Sequence, residues 1–280
     1  MKRRSPLPSR PRVLARRLAY RLRRHLLRSP YLVAREDRFG LRFRFKTEDA
    51  IGRCIFQKGV YEAPLTRFLL QDLRLRPGDV VIDAGANIGW FSLLLDRVAP
   101  DGVTIYAFEP EPLNFGLLCE NVARNGATKV VPVRLALGER AGPAVLHLYP
   151  HKNRGRHTFT GDPGEAGTVK VEVTTLEAFW RERELDDRPL ALLKVDVEGW
   201  EQRVVEGAGE LLDRCRAVAT EVVPSLLRGA GGCPAGLLDR LAARGFVPHL
   251  PGPEGVESLD PETVRSRERP LNLVWLPESG

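Results

Sequence analysis

The sequence is poor in cysteine, in long apolar runs and, over its first thirty residues, in acid. Its four cysteines (Cys54, Cys119, Cys215 and Cys233) lie far apart with no C-x-x-C pair, which argues against a disulfide framework or a zinc site. Reduced, buried thiols fit a cytoplasmic protein. No stretch approaches the roughly 18 apolar residues of a membrane-crossing helix. No apolar segment follows the basic start either, so a secretory signal is not expected. Residues 1–30 carry eleven Lys and Arg and no Asp or Glu, which leaves 32 basic against 36 acidic residues in the remainder. The net charge of +7 therefore belongs to a tail, and the body gives no electrostatic sign of nucleic-acid binding.

Within that tail Leu14, Leu18, Leu22 and Leu26 recur every four residues with arginines between them, the pattern of a basic amphipathic helix. Residues 10–28 so arranged could rest on an anionic membrane surface, on an acidic partner, or on the chain's own domain. With 280 residues, 43% of them hydrophobic, the chain can bury a substantial core. It divides into the basic extension (1–30), a lead-in (31–78) and a main domain (79–280). The lead-in holds a hairpin-like "RFGLRFRF" and a helical "EAPLTRFLLQDL".

The main domain alternates short β-rich runs with helical periods. "VVIDAG" (80–85), "TIYAFEP" (104–110) and "KVVPVRLALG" (129–138) read as strands, with helices between them and Asn125-Gly126 as a helix stop. This βαβαβ rhythm predicts a doubly wound parallel sheet. An inserted hairpin over 143–176 interrupts it, with "AVLHLYP" and "TVKVEVTTL" joined by a polar, glycine-rich loop. The order returns with "LALLKVDVEG" (190–199), an apolar run suited to a strand buried on both faces, then "AVATEVV" (217–223). "FVPHL" and "LNLVWLP" are expected to pair antiparallel at the closing edge.

"VVIDAGANIGWFS" (80–92) passes from strand through a glycine turn into a helix, an arrangement that holds polar ligands against backbone N–H groups. A dinucleotide fingerprint from Gly85 would need glycine at 87 and 90, where Asn87 and Trp90 stand. The remaining D-x-G-x-N-x-G suits a nucleoside without a pyrophosphate. An acid at the end of the next strand completes such a site, and Glu109 lies 24 residues past Gly85. Its carboxylate can accept two hydrogen bonds from a ribose diol.

Together with "YAFEPEPLNFGLLCENVARNG", "LALGE", "LLKVDVEGWEQRVVEGA" and "TEV", this stretch resembles the FkbM family of S-adenosylmethionine-dependent methyltransferases, over roughly residues 60–277. The resemblance implies a class I methyltransferase fold, Rossmann-like, with seven strands of which the last is antiparallel. It implies S-adenosylmethionine as cofactor and methyl transfer to a hydroxyl of a small-molecule acceptor such as a sugar, glycolipid or natural product. Carried onto this chain, it sets Asp83, Gly85, Ala86, Asn87 and Gly89 around the methionine part, and Glu109 with Pro110 at the ribose. Ala136 and Leu137 fall beside the adenine, and Asp196 near the sulfonium.

An alcohol acceptor must lose its proton, so a general base is needed. "KVDVEGWE" offers Asp196 and Glu198 at strand spacing; Asp196 is the first candidate, and Glu201 is assigned a structural role. His157 in the inserted loop is the second candidate base. No metal site is expected, because no further acid-rich cluster accompanies Asp196 and Glu198. Trp90, Phe91, Trp180 and Trp275 are expected in the core. The competing readings are a nucleotide-dependent oxidoreductase on a similar sheet and a non-catalytic nucleoside-binding module.

Overall fold

A computed structural model describes residues 10–25, 28–148, 158–159 and 167–278. The basic extension forms helix α1 (Arg10–His25), and the lead-in comprises the hairpin β1 (Tyr31–Arg35) and β2 (Arg42–Lys46) and helices α2 (Ala50–Lys58) and α3 (Ala63–Gln71). The first half of the main domain runs β3 (Val80–Ala84), α4 (Trp90–Val98), β4 (Thr104–Phe108), α5 (Pro112–Asn125) and β5 (Val130–Val133). β6 (Ala136–Leu137) comes next, then the inserted hairpin of β7 (Gly142–His147) and β8 (Thr168–Thr174), and α6 (Leu176–Glu182). Then come β9 (Leu190–Val195), α7 (Glu201–Ala208), β10 (Val218–Val222), α8 (Pro224–Gly229) and α9 (Pro234–Ala242). The chain closes with β11 (Phe246–Pro251), β12 (Val256–Ser258), α10 (Pro261–Arg265) and β13 (Leu271–Pro277).

The main sheet has the order β12-β11-β13-β10-β9-β3-β4-β5. Strands β9, β3, β4 and β5 pair in parallel, and β13 runs antiparallel to both β10 and β11. This is the doubly wound class I methyltransferase arrangement, extended at one edge by the short β12. Sequence pattern alone does not separate β12 from the loop around it. It also puts "LNLVWLP" at the edge, whereas β13 is enclosed between β10 and β11.

Burial on both faces explains the composition of the central strands. Every residue of β3 and β9 is buried, as parallel strands covered by helices require. Alternation persists beneath that uniformity: Val81 packs with α4, α5 and the lead-in, while Val80, Ile82 and Ala84 pack with α6, α7 and α9. Trp90, Phe91, Trp180 and Trp275 are all buried, as expected.

Two local departures have clear causes. The expected single strand over 129–138 ends at Val133, because Ala136–Leu137 leaves the main sheet to pair with Val173–Thr174. Helix α2 is absent from the sequence-based expectation, although its signals are present: Asp49 caps its N-terminus through Gly52 N–H and Gly59 closes it at φ 74°. Of the cysteines expected to be buried, Cys233 is exposed, with its thiol capping α9.

The N-terminal ends of β3 and β4 are held by a basic clamp. The Arg188 guanidinium donates to the carbonyls of Gly78, Asp79 and Gly102 and to the Thr104 hydroxyl. Arg216 pairs with the fully buried Asp79. Arg188→Ala removes four hydrogen bonds, although the Asp79 and Gly102 carbonyls keep backbone donors, and should destabilise the fold by about 1–2 kcal/mol. A urea denaturation curve will measure this; an unchanged midpoint would show that the clamp is dispensable.

Candidate active site

The turns after β3, β4, β9 and β10 open on one cavity at the C-terminal edge of the sheet. Of the candidate residues, Gly85, Ala86, Asn87, Glu109, Pro110, Ala136, Leu137, Asp196 and Glu198 line it. Asp83 and Gly89 do not. Asp83 lies below the cavity floor, 1% exposed, where it accepts from the Ser92 hydroxyl at 2.6 Å and pairs with Lys194 at 3.1 Å. Gly89, at φ 89°, serves packing: a Cβ there would lie 2.8 Å from Leu118 Cδ1. His157 lies outside the described residues.

The glycine turn does not offer its N–H groups to a ligand. Gly85 and Ala86 donate to the Phe108 carbonyl, Asn87 to Glu109 Oε2, Ile88 to the Asn87 side chain and Gly89 to the Ala86 carbonyl. All five donors are satisfied within the protein, so the turn contributes shape. Gly85 is required for that shape, because a Cβ at its φ of 77° would sit 1.9 Å from the Asp196 carbonyl oxygen. The two motifs thus meet backbone to backbone.

Glu109 fastens the same turn from β4. Its Oε1 accepts from Glu111 N–H at 3.0 Å and its Oε2 from Asn87 N–H at 2.9 Å. Burial pushes its carboxyl up to about 8, and the neighbouring Glu111 charge adds to that, against the two backbone bonds and Lys194.

Lys194 projects from β9 beneath the floor, 2% exposed. Its ammonium lies 3.1 Å from Asp83 Oδ1, 3.4 Å from Asp196 Oδ2 and 3.3 Å from the Gly85 carbonyl oxygen. Burial opposes its charge, yet Asp83, Asp196 and Glu62 outweigh that and hold its pKa above the ordinary lysine value. Glu201 performs the structural task expected of it, accepting at Oε1 from Val197 and Gly199 N–H, and burial pushes it up to about 7.

β9 has already ended when the chain reaches Asp196 and Glu198, and Glu198 takes φ 52°. Even so, both carboxylates converge, and Glu221 from the end of β10 joins them, with ligand atoms within 4.8 Å of one another. Such a trio can hold a divalent cation or orient hydroxyl groups. The local sequence shows no third acid because Glu221 arrives from the neighbouring strand; the strand-terminal "TEV" is its only trace.

The lead-in supplies residues that sequence reasoning missed. Tyr61 lines the cavity, together with Ala50 and Ile51 of α2. Burial, then Glu62, Asp196 and Glu221, raise the Tyr61 pKa far above the ordinary phenol value, so it stays protonated. Glu62, at φ 42°, is pushed up to about 7 by burial and then by the Asp196 charge. From the insert, Phe159 lines the cavity with its ring 4.7 Å from that of Trp200, and the Thr158 hydroxyl donates to the Glu198 carbonyl.

Lys194→Met would leave Asp83 charged and unpaired in the interior, and should destabilise by about 3–5 kcal/mol. Chemical denaturation followed by circular dichroism measures it. A loss below about 1 kcal/mol would mean that the buried carboxylate is accommodated by other partners.

The Methyltransferase FkbM domain family matches residues 83–226 of the chain. Methyltransferase sdnD of Sordaria araneosa is 32% identical over 178 residues, covering 54% of this chain and 68% of that protein. The 31-O-demethyl-FK506 methyltransferase FkbM of Streptomyces tacrolimicus is also 32% identical, over 202 residues, 59% of this chain and 76% of its own. Hexuronic acid methyltransferase AglP of Haloferax volcanii is 28% identical over 196 residues, 70% and 75% of the two chains. The matched span runs from the strand that carries Asp83 through the turn with Asp196 and Glu198 to the strand that delivers Glu221, and the chain belongs to the FkbM family of S-adenosylmethionine-dependent methyltransferases.

Proposed function

We propose that the cavity seats S-adenosylmethionine and that the enzyme methylates a hydroxyl group of a sugar, glycolipid or natural-product acceptor. The observation that carries this reading is the convergence of the Asp196, Glu198 and Glu221 carboxylates with the Tyr61 phenol on a wall of the cavity that Glu109 also lines. The relatives support the acceptor class by their names, one for a demethylated FK506 and another for a hexuronic acid.

The residues present fit the cofactor. Each Glu109 oxygen accepts one backbone N–H and keeps a lone pair for a ribose diol. Leu135, Ala136 and Leu137 offer an apolar wall for a purine. The carboxylates suit a positively charged sulfur. Bound S-adenosylmethionine supplies an electrophilic methyl group on that sulfur.

The chain's own work is alignment, exclusion of water and removal of one proton. Asp196 accepts the acceptor's hydroxyl proton at its carboxylate, while Lys194 holds Oδ2 from below. Glu198 and Glu221 orient neighbouring hydroxyls of the acceptor. Trp90, Phe91 and Phe159 line the cavity with rings and keep water out. His157, carried by the same insert as Phe159, remains a second candidate for the proton.

A nucleotide-dependent oxidoreductase is disfavoured by family membership and by the missing glycines at 87 and 90. A non-catalytic nucleoside-binding module leaves the carboxylate trio without a task.

Asp196→Asn should lower kcat by about 10²–10⁴-fold, a loss larger than any in cofactor affinity. Transfer of a labelled methyl group to a panel of polyhydroxylated acceptors reads this out. Undiminished turnover would remove Asp196 from the chemistry.

Glu109 gives a pH signature. Its carboxyl keeps a proton up to about pH 8 in the free protein, whereas a diol that donates two hydrogen bonds favours the carboxylate. Cofactor binding at neutral pH should therefore release a proton. Affinity should rise roughly tenfold or more from pH 6.5 to about 8 and level off above. Calorimetry in buffers of different ionisation enthalpy measures the proton; Glu109→Gln should abolish both its release and the slope. For the empty protein the sign is opposite, since the unfolded chain sheds this proton near its ordinary carboxylate value. This group's contribution to stability therefore falls as pH rises from about 4.5 to about 8.

A further inference from the structure

We propose that α1 docks the enzyme on an anionic lipid bilayer. The helix is fixed to the domain by one face only. Tyr20, 3% exposed, bonds the Thr47 carbonyl through its hydroxyl and stacks at 5.9 Å against Phe56 of α2. Arg16 donates to Asp37 at 2.6 Å. The leucines that would ordinarily form the buried stripe of such a helix point the other way: Leu14 and Leu18 are each 69% exposed and Leu22 53%. At about 100° per residue these three form one strip along the outer surface. Arg17 and Arg21 border it on one side; on the other, beyond Ala15 and Ala19, lie Arg12, which also pairs with Asp37 at 3.6 Å, and Arg23, whose guanidinium lies 5.6 Å from the Phe56 ring centre.

A strip of leucines rimmed by arginines has the chemistry of the acyl–headgroup boundary. The leucines enter the apolar layer, and the guanidinium groups stay at headgroup level on their apolar stems. Beside the strip, Arg17, Arg21 and Arg24 of α1 line a groove with Arg53 and Lys58 of α2, and among the described residues no carboxylate shares that lining. Such a groove complements lipid phosphates. The absence of any acid from residues 1–30 extends the same sign over the whole segment. Ala50 of α2 lines both this groove and the catalytic cavity, so docking through α1 brings the lipid surface within one helix of the active site.

The experiment is flotation of the full chain with vesicles of phosphatidylcholine alone or mixed with phosphatidylglycerol. The protein should float with the anionic vesicles and not with the neutral ones. The triple variant Leu14→Ser, Leu18→Ser, Leu22→Ser should lose at least ~tenfold in vesicle affinity with an unchanged melting temperature, since the three leucines are exposed. Arg17→Glu with Arg21→Glu should lose as much. Failure to bind anionic vesicles overturns the proposal. So does a leucine variant that binds like the parent, which would reduce the effect to diffuse charge attraction. A parent dimer that the leucine variant dissolves, without vesicle binding, would instead make the strip an interface between two copies of this chain.

Discussion

The candidate site hangs on a single buried ammonium. Lys194 of β9 lies beside the end of the neighbouring strand β3, with Asp83 and Asp196 as counter-charges and the Gly85 carbonyl as a further acceptor. A lone charge at 2% exposure would be prohibitive, and a lone Asp83 beside it equally so. Paired, they hold the two turns to one relative position. Gly85 allows the remaining approach, because the Asp196 carbonyl occupies the space where a side chain would begin. Asn87, seated by that turn, passes the constraint on to Glu109 through its own N–H.

From this fixed point the cavity divides by origin. The ends of β3, β4, β9 and β10 and their turns supply Asn87, Glu109 and the three carboxylates, residues held by the main sheet, while Ala136 and Leu137 come from β6, which pairs with β8 outside it. The lead-in and the insert supply Ile51, Tyr61 and Phe159, which close the cavity from outside the sheet. A cavity so divided has one side determined by the fold and another, built by the connecting segments, that tolerates change more easily. Burial gives the site its electrostatic character: Glu62, Glu109 and Glu201 are all pushed upward, mainly by loss of solvent. These carboxyl groups therefore titrate close to neutrality.

Charge is also segregated along the chain. Acidic groups gather at the catalytic cavity, and cations gather on α1 and the face of α2 beside it. One helix separates the two fields.

Much of the site is legible in the sequence. The D-x-G-x-N-x-G turn, the acid 24 residues on and the strand-terminal Asp196 are local patterns that report local backbone geometry, and Gly85, Asn87, Glu109 and Asp196 line the cavity while Asp83 and Gly89 stand behind it. Helix caps such as Gly126 are equally readable, because a left-handed terminus has few alternatives to glycine. Relations across the sheet are not. Glu221 meets Asp196 because β10 lies beside β9, and Tyr61 reaches them because the lead-in packs against α4 and α5. The same holds for Asp83, drawn under the floor by Lys194, and for the split of 129–138, where pairing with β8 overrides a continuous β-rich run. The sequence by itself determined most of the elements, the turns after β3, β4 and β9 that line the cavity, and the amphipathic period of α1. Tertiary structure decided which carboxylates meet and that the leucines of α1 face outward, because strand order and helix rotation depend on packing against residues far away in the chain.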